Sequence, residues 1–202
     1  MSQSPADENS RSIRRERMND MAQLSRDSLD TLHRSLRAAT RSDHNVVDRL
    51  VTRLDFSRSE DYGRFLSIHQ AVLQNLKAQW RPEDRDDFDA MSRGLQIDLR
   101  VLGFPAANPE SMSPIPMSEG DSLGIAYVIR GSRLGSSVLR PRIASRFSTS
   151  YFDLVPTLSW VDFLAQLRSK SRDPNSETSG AAIRGARMTF EMFSRLLAQA
   201  PA

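Results

Sequence analysis

Apolar residues in this chain recur at helical spacing, and no stretch holds the alternation of a strand for long. That property restricts the fold to packed helices. Leu29, Leu32, Leu36, Ala39, Val47, Leu50, Val51 and Leu54 mark a first helix, with polar residues between them. Asp55-Phe56-Ser57 breaks it, and Ser59 is placed to cap the next. Tyr62, Phe65, Leu66, His69, Val72, Leu73 and Leu76 form the face of a second helix, ending near Trp80 before Arg81-Pro82. Phe88, Met91, Leu95, Leu99 and Leu102 mark a third, stopped by Gly103 and Pro105. Residues 103–120 hold Pro105, Pro109, Pro114 and Pro116 and read as a long extended loop. A fourth helical segment runs from about Asp121 to Phe147, broken or kinked near Pro141. Ser159 and Asp162 have the spacing of a capping box and open a helix through Phe163, Leu164 and Leu167. After a polar linker, 169–178, a last helix carries Ala186, Phe190, Phe193, Leu196 and Leu197. The expectation is an all-α, single-domain bundle of about seven helices over residues 27–200. Residues 1–26 sustain no apolar period and read as a flexible extension.

Several function classes are excluded by composition. The chain has no cysteine, so disulfides, thiolate metal sites, iron–sulfur clusters and cysteine nucleophiles are ruled out. No apolar run approaches the roughly 20 residues that span a bilayer, and the polar N-terminus has no signal core. These features point to a cytoplasmic protein with no membrane partner. All but Lys77 and Lys170 of the 28 basic residues are arginine, balanced to a net charge of only +3. Genome composition explains that bias as well as a need for bidentate anion contacts does. No basic run is interleaved with aromatics, so no nucleic-acid partner is expected.

Catalytic motifs are also scarce. There is no Gly-x-Ser-x-Gly, no His-Glu-x-x-His, no phosphate-binding glycine loop and no Glu-x-x-His pair of a di-iron bundle. Asp86 and Asp87 sit in a highly charged stretch and read as solvated surface. What remains is a histidine at the edge of an apolar helical stripe, in the context Leu36-Arg37-Ala38-Ala39-Thr40-Arg41-Ser42-Asp43-His44-Asn45-Val46-Val47-Asp48. A neutral imidazole so placed is suited to be an axial ligand of heme iron, and Arg37, two turns earlier, could pair with a heme propionate. The competing reading is a partly buried histidine with Arg37 on a solvated face. His33 lies three turns before His44 and is the weaker ligand candidate; His69, among Phe65, Leu66, Val72 and Leu73, reads as a histidine at the core edge. Gly131 and Gly135, four apart, share one helix face. They suit either close backbone approach to a flat ligand or a tight helix–helix seam, and spacing does not separate the two. Arg168 either complements a helix C-terminus or makes a second propionate contact.

These residues resemble a family, the biliverdin-producing heme oxygenases, and within it the bacterial branch associated with bacteriophytochromes. Thr40, His44 and Asp48 resemble its proximal segment. Leu123 through Gly135, including Tyr127, resembles the distal helix, and Ser150-Tyr151-Phe152 and Trp160-Val161-Asp162-Phe163 resemble the segments that follow. The resemblance spans residues 28–198. It implies a heme held between a proximal and a kinked distal helix, with His44 on the iron and Gly131, Ser132 and Gly135 over the reacting face. It further implies Arg37, Arg168, Tyr127, Thr40 and Asp48 as heme-binding residues. Heme would be both cofactor and substrate, opened by O2 and electrons from a ferredoxin or flavoprotein reductase to biliverdin, CO and ferrous iron. A bacteriophytochrome would be a receiver of the biliverdin. The chain departs from the pattern at Ser132, where many relatives carry an aspartate that organises water. Arg130, Arg133 and Ser136 depart as well. Those departures leave a second reading, a degenerate module that binds heme or a signalling partner without turnover. A third reading is a helical bundle with no heme site.

Overall fold

The computed structural model describes residues 32–105, 117–170 and 177–199, and no strand occurs among them. The described residues form seven α-helices: α1 (32–52), α2 (Ser59–Asn75), α3 (Arg85–Val101), α4 (Glu119–Leu139), α5 (Ser150–Asp153), α6 (Trp160–Lys170) and α7 (Glu177–Gln199). The all-α expectation holds. The expected extension 1–26, and Leu29 as a helix start, lie outside the described residues, as does the middle of the 169–178 linker.

Helix ends differ from expectation for local reasons. Ser59 is the first residue of α2, not its cap, and Arg58 holds the cap position without a side-chain bond. The turn is tied instead by Asp61, whose Oδ2 accepts from the Asp55 N–H at 2.9 Å, and by Asp55, whose Oδ1 accepts from the Ser57 N–H at 3.0 Å. α2 stops at Asn75, and two single 3-10 turns, Lys77–Gln79 and Pro82–Asp84, carry the chain to α3. Gly103, at φ 76°, supplies the left-handed residue that ends the α3 segment. α4 starts before Asp121 because Ser118 and Asp121 form a reciprocal capping box within the stretch expected to be loop. It ends at Leu139 and does not run on to Phe147. The Pro141 ring cannot continue an α-helix, and a 3-10 turn Arg140–Arg142 takes over. The Ser159–Asp162 cap of α6 is as expected, with the Asp162 N–H 3.2 Å from Ser159 Oγ.

The tightest packing joins α4 to α7. A Cβ on Gly124 would lie 1.9 Å from the Ala182 carbonyl oxygen, and one on Gly185 would lie 2.0 Å from that of Asp121. A Cβ on Gly120 would lie 2.6 Å from the Ala181 Cβ and 2.9 Å from the Thr178 carbonyl oxygen. These contacts advance together along both helices, so α4 and α7 run parallel with their backbones touching.

A buried charge cluster holds α4 against the start of α3. Arg130, 5 % exposed, donates from Nε to Asp84 Oδ1 at 2.8 Å and from a terminal nitrogen to Asp87 Oδ2 at 2.8 Å and the Leu158 carbonyl at 3.0 Å. Asp87 is therefore not the solvated residue its charged neighbourhood suggests, although Asp86 is exposed. Burial alone would push the Asp87 carboxyl up. Hydrogen bonds from Thr157, Arg130 and the Leu158 N–H outweigh it and hold the group below its ordinary range. Arg133 caps α5, donating to the carbonyls of Tyr151, Phe152 and Leu154 at 2.7, 3.2 and 2.9 Å. Asp98 of α3 fixes the other end of α5, accepting from the Ser150 and Tyr151 N–H groups at 2.8 and 2.9 Å. Arg130 and Arg133 are thus both structural.

Candidate functional site

Gly120, Gly124, Gly131 and Gly135 lie on nearly one face of α4, because eleven residues make close to three turns. What differs is the element opposite. Over the first half of α4, the small residues Ala181, Ala182, Gly185 and Ala186 of α7 close the gap. Further along, α7 presents Phe190, Phe193 and Leu197, and the seam opens into a cleft of about 880 Å³. A Cβ on Gly135 would meet nothing within 4 Å, and one on Gly131 only the Trp160 ring, at 3.7 Å. The helix-seam explanation, open from spacing alone, belongs to Gly120 and Gly124; Gly131 and Gly135 leave space. Gly135→Ala is therefore expected to keep or raise stability, by up to about 1 kcal/mol. Gly135→Leu should fold but block the cleft; thermal melts and hemin titration check the pair.

One wall of the cleft is α1, with His33, Arg37, Thr40, His44 and Asp48 along it; the other is α4, with Tyr127, Gly131, Ser132 and Gly135. The deep side is formed by Phe65 and His69 of α2 and Phe190 and Phe193 of α7. Arg168 does not line it. That side chain lies on α6, near enough that its charge, with that of Arg37, joins burial in lowering the His33 pKa. His33 itself packs edge-on to Tyr127 and Trp160, at 5.9 and 6.2 Å between ring centres. At this end of the cleft Tyr127 is pushed up by burial, partly offset by Arg37.

The His44 side chain is 58 % exposed, and its Nδ1 lies 2.9 Å from Asp48 Oδ2, one turn on. In the neutral ring a carboxylate at that nitrogen favours the hydrogen there, so Nε2 is the nitrogen that could ligate a metal. Its ring also meets Phe190 edge-on, at 5.8 Å. Among the described residues no group of three or more His, Asp or Glu could hold a bare ion. A single imidazole on the wall of such a cleft suits a metal that arrives with its other ligands already in place, as heme iron does. The remaining walls fit such a plate. Leu134 and Val138 line the cleft at 53 % and 70 % exposure, an apolar surface without a protein partner. Arg37, Arg41 and Arg142 also line it, which suits a ligand with an apolar body and anionic arms.

Two expected residues have their polar atoms committed elsewhere. Thr40 Oγ1 donates to the Leu36 carbonyl at 2.8 Å, and Ser132 Oγ donates to that of Ile129 at 2.8 Å. Sequence reasoning left His69 at the core edge and did not name Phe65, Phe190, Phe193 or Trp160 as lining. The signal was present for the first two pairs: Phe65 and His69 stand at i and i+4, and Phe190 and Phe193 at i and i+3, each on one face.

No family model matches the chain. Over 111 residues, 52 % of this chain, it is 32 % identical to a heme oxygenase of Xanthomonas campestris pv. campestris (strain 8004). The match spans 65 % of the length of that relative. No helix among the described residues is long and apolar enough to cross a membrane.

Proposed function

We propose that this chain is a bacterial heme oxygenase that holds heme in the cleft between α1 and α4 and opens its ring to biliverdin, CO and ferrous iron. The observation that carries the reading is His44, braced by Asp48, standing across one cleft from the unsubstituted Gly131 and Gly135. The likeness to the Xanthomonas heme oxygenase supports it. Bound heme would supply the O2 chemistry, with electrons from an external ferredoxin or flavoprotein reductase.

The protein's part is placement. His44 Nε2 would take the iron, and Asp48 would keep the ring oriented. Gly131 and Gly135 leave the α4 backbone bare along that wall, which would let it approach the plate and restrict what else can stand over it. Arg37 would hold one propionate, Tyr127 and Trp160 would pack against the ring at that end, and Arg168, which stands outside the lining on α6, would reach a propionate that extends beyond the cleft. Thr40 keeps its hydroxyl on α1, so its role is to shape the wall. The same reading carries a cytoplasmic setting and a bacteriophytochrome as receiver of biliverdin.

A specific observation favours the alternative, a module that binds heme without turnover: Ser132 gives its hydroxyl hydrogen to its own helix. Visible spectra separate the two. Hemin mixed with the protein and a ferredoxin reductase system in air should lose its Soret band while a biliverdin band rises. A Soret band that forms and then persists under reduction and O2 identifies the module.

A further inference from the structure

His69 is the polar side chain on the deep wall of the cleft, and the reading above gives it no task. Its Nδ1 lies 2.9 Å from the Phe65 carbonyl oxygen. A carbonyl only accepts, so Nδ1 carries the hydrogen and Nε2 is left with a bare lone pair. The ring is boxed by Phe65, Phe193 and Tyr151, at 4.1, 5.0 and 5.7 Å between centres. Among the described residues no protein donor is recorded at Nε2, and the open side of the ring faces the cleft.

The charged and titratable neighbours do not change this state. Arg133 of α4 has its guanidinium engaged by three carbonyls and adds only a repulsive charge. Tyr151 of α5 is held protonated by burial; α7 contributes apolar rings. Burial lowers the His69 pKa to about 4, so the ring is neutral under ordinary conditions. A leucine or phenylalanine would fill this position without stranding an acceptor in an aromatic box. Ser132, on the facing helix, is engaged by the Ile129 carbonyl and lies within hydrogen-bond reach of the Tyr151 hydroxyl.

Resting on the function proposed above, we infer that His69 Nε2 accepts a hydrogen bond from a water in the cleft. It thereby orients that water's second hydrogen toward the bound substrate. His69 is in this sense a positioning residue for proton delivery, set on α2, where the α4 serine is unavailable.

Three measurements test this. In the free protein, imidazole nitrogen shifts should show His69 neutral, with the hydrogen on Nδ1, from pH 8 to about pH 5. His69→Phe should still take up hemin on His44, shift the spectral signature of water bound to ferric iron, and open the ring at least about tenfold more slowly. His69→Gln, whose amide oxygen accepts, should restore both to within about threefold of the native protein. Three results would overturn the inference: a hydrogen on Nε2, a His69→Phe protein that keeps native spectrum and rate, or a native ferric complex ligated by two histidines that loses one in His69→Phe. If the native protein takes no hemin on His44, the functional reading fails first and this inference fails with it.

Discussion

Gly185→Ala is expected to lower stability by about 3 kcal/mol, a fall of roughly 6–12 °C in Tm for a chain of this size. The added Cβ would sit 2.0 Å from the Asp121 carbonyl oxygen, and that atom belongs to backbone, not to a side chain that can turn aside. Gly124→Ala meets the Ala182 carbonyl at 1.9 Å and should behave alike. α4 and α7 must separate to admit either methyl, and their separation also moves the two walls that frame the cleft. In a helix interior alanine ordinarily beats glycine by about 1 kcal/mol, so the expected sign is opposite to propensity. It is also opposite to that expected for Gly135→Ala, on the same face of α4 as Gly124 and three turns further along. Thermal or denaturant unfolding of the three variants reads this directly; equal behaviour would mean the seam is not closed.

Arg130→Met should cost about 3–5 kcal/mol, the range for removing one partner of a buried ion pair. It strands carboxylates at Asp84 and Asp87, which are 0 % and 5 % exposed. Asp87 retains its bonds from Thr157 and Leu158, and Asp84 retains Arg81, so the loss falls short of unfolding a chain with ordinary reserves. The variant should also move acid sensitivity. Asp87 is held below its ordinary value in the folded protein. Its ionisation therefore contributes stability that is complete above about pH 4 and is lost as pH falls through the lowered folded value. Without Arg130 that loss should begin at higher pH. Unfolding measured between neutral and acid pH for both proteins tests size and direction together.

Most of the helices were legible because each buries one stripe, and burial forces apolar residues into the 3.6-residue period seen from Leu32 to Leu54 and from Tyr62 to Leu76. Their ends were less so. An end depends on one or two polar contacts, and the Ser118–Asp121 box stood at the edge of a proline-rich stretch that outweighed it. The charge cluster was hidden for another reason. Asp84 and Asp87 find Arg130 more than forty residues away, so nothing local marks them as paired. At the cleft, Gly120/Gly124 and Gly131/Gly135 have identical spacing. Only the partner helix, alanine-rich along one half and phenylalanine-rich along the other, decides which pair is a seam and which is a wall. His44 was legible through its motif, whereas the free edge of His69 depends on which nitrogen its own helix occupies.

The most direct test of the central claim is ligation of heme iron in the native protein and in His44→Ala. Hemin titration followed by absorbance should give a tight one-to-one complex for the native chain. Resonance Raman spectra of its ferrous form should show an iron–histidine stretch. In His44→Ala that stretch should vanish and affinity should fall by at least about tenfold, a loss of ~1.4 kcal/mol, and added imidazole should restore a six- or five-coordinate complex. A native protein that takes up no hemin, or a His44→Ala protein with unchanged affinity and an unchanged iron–histidine stretch, would contradict the account.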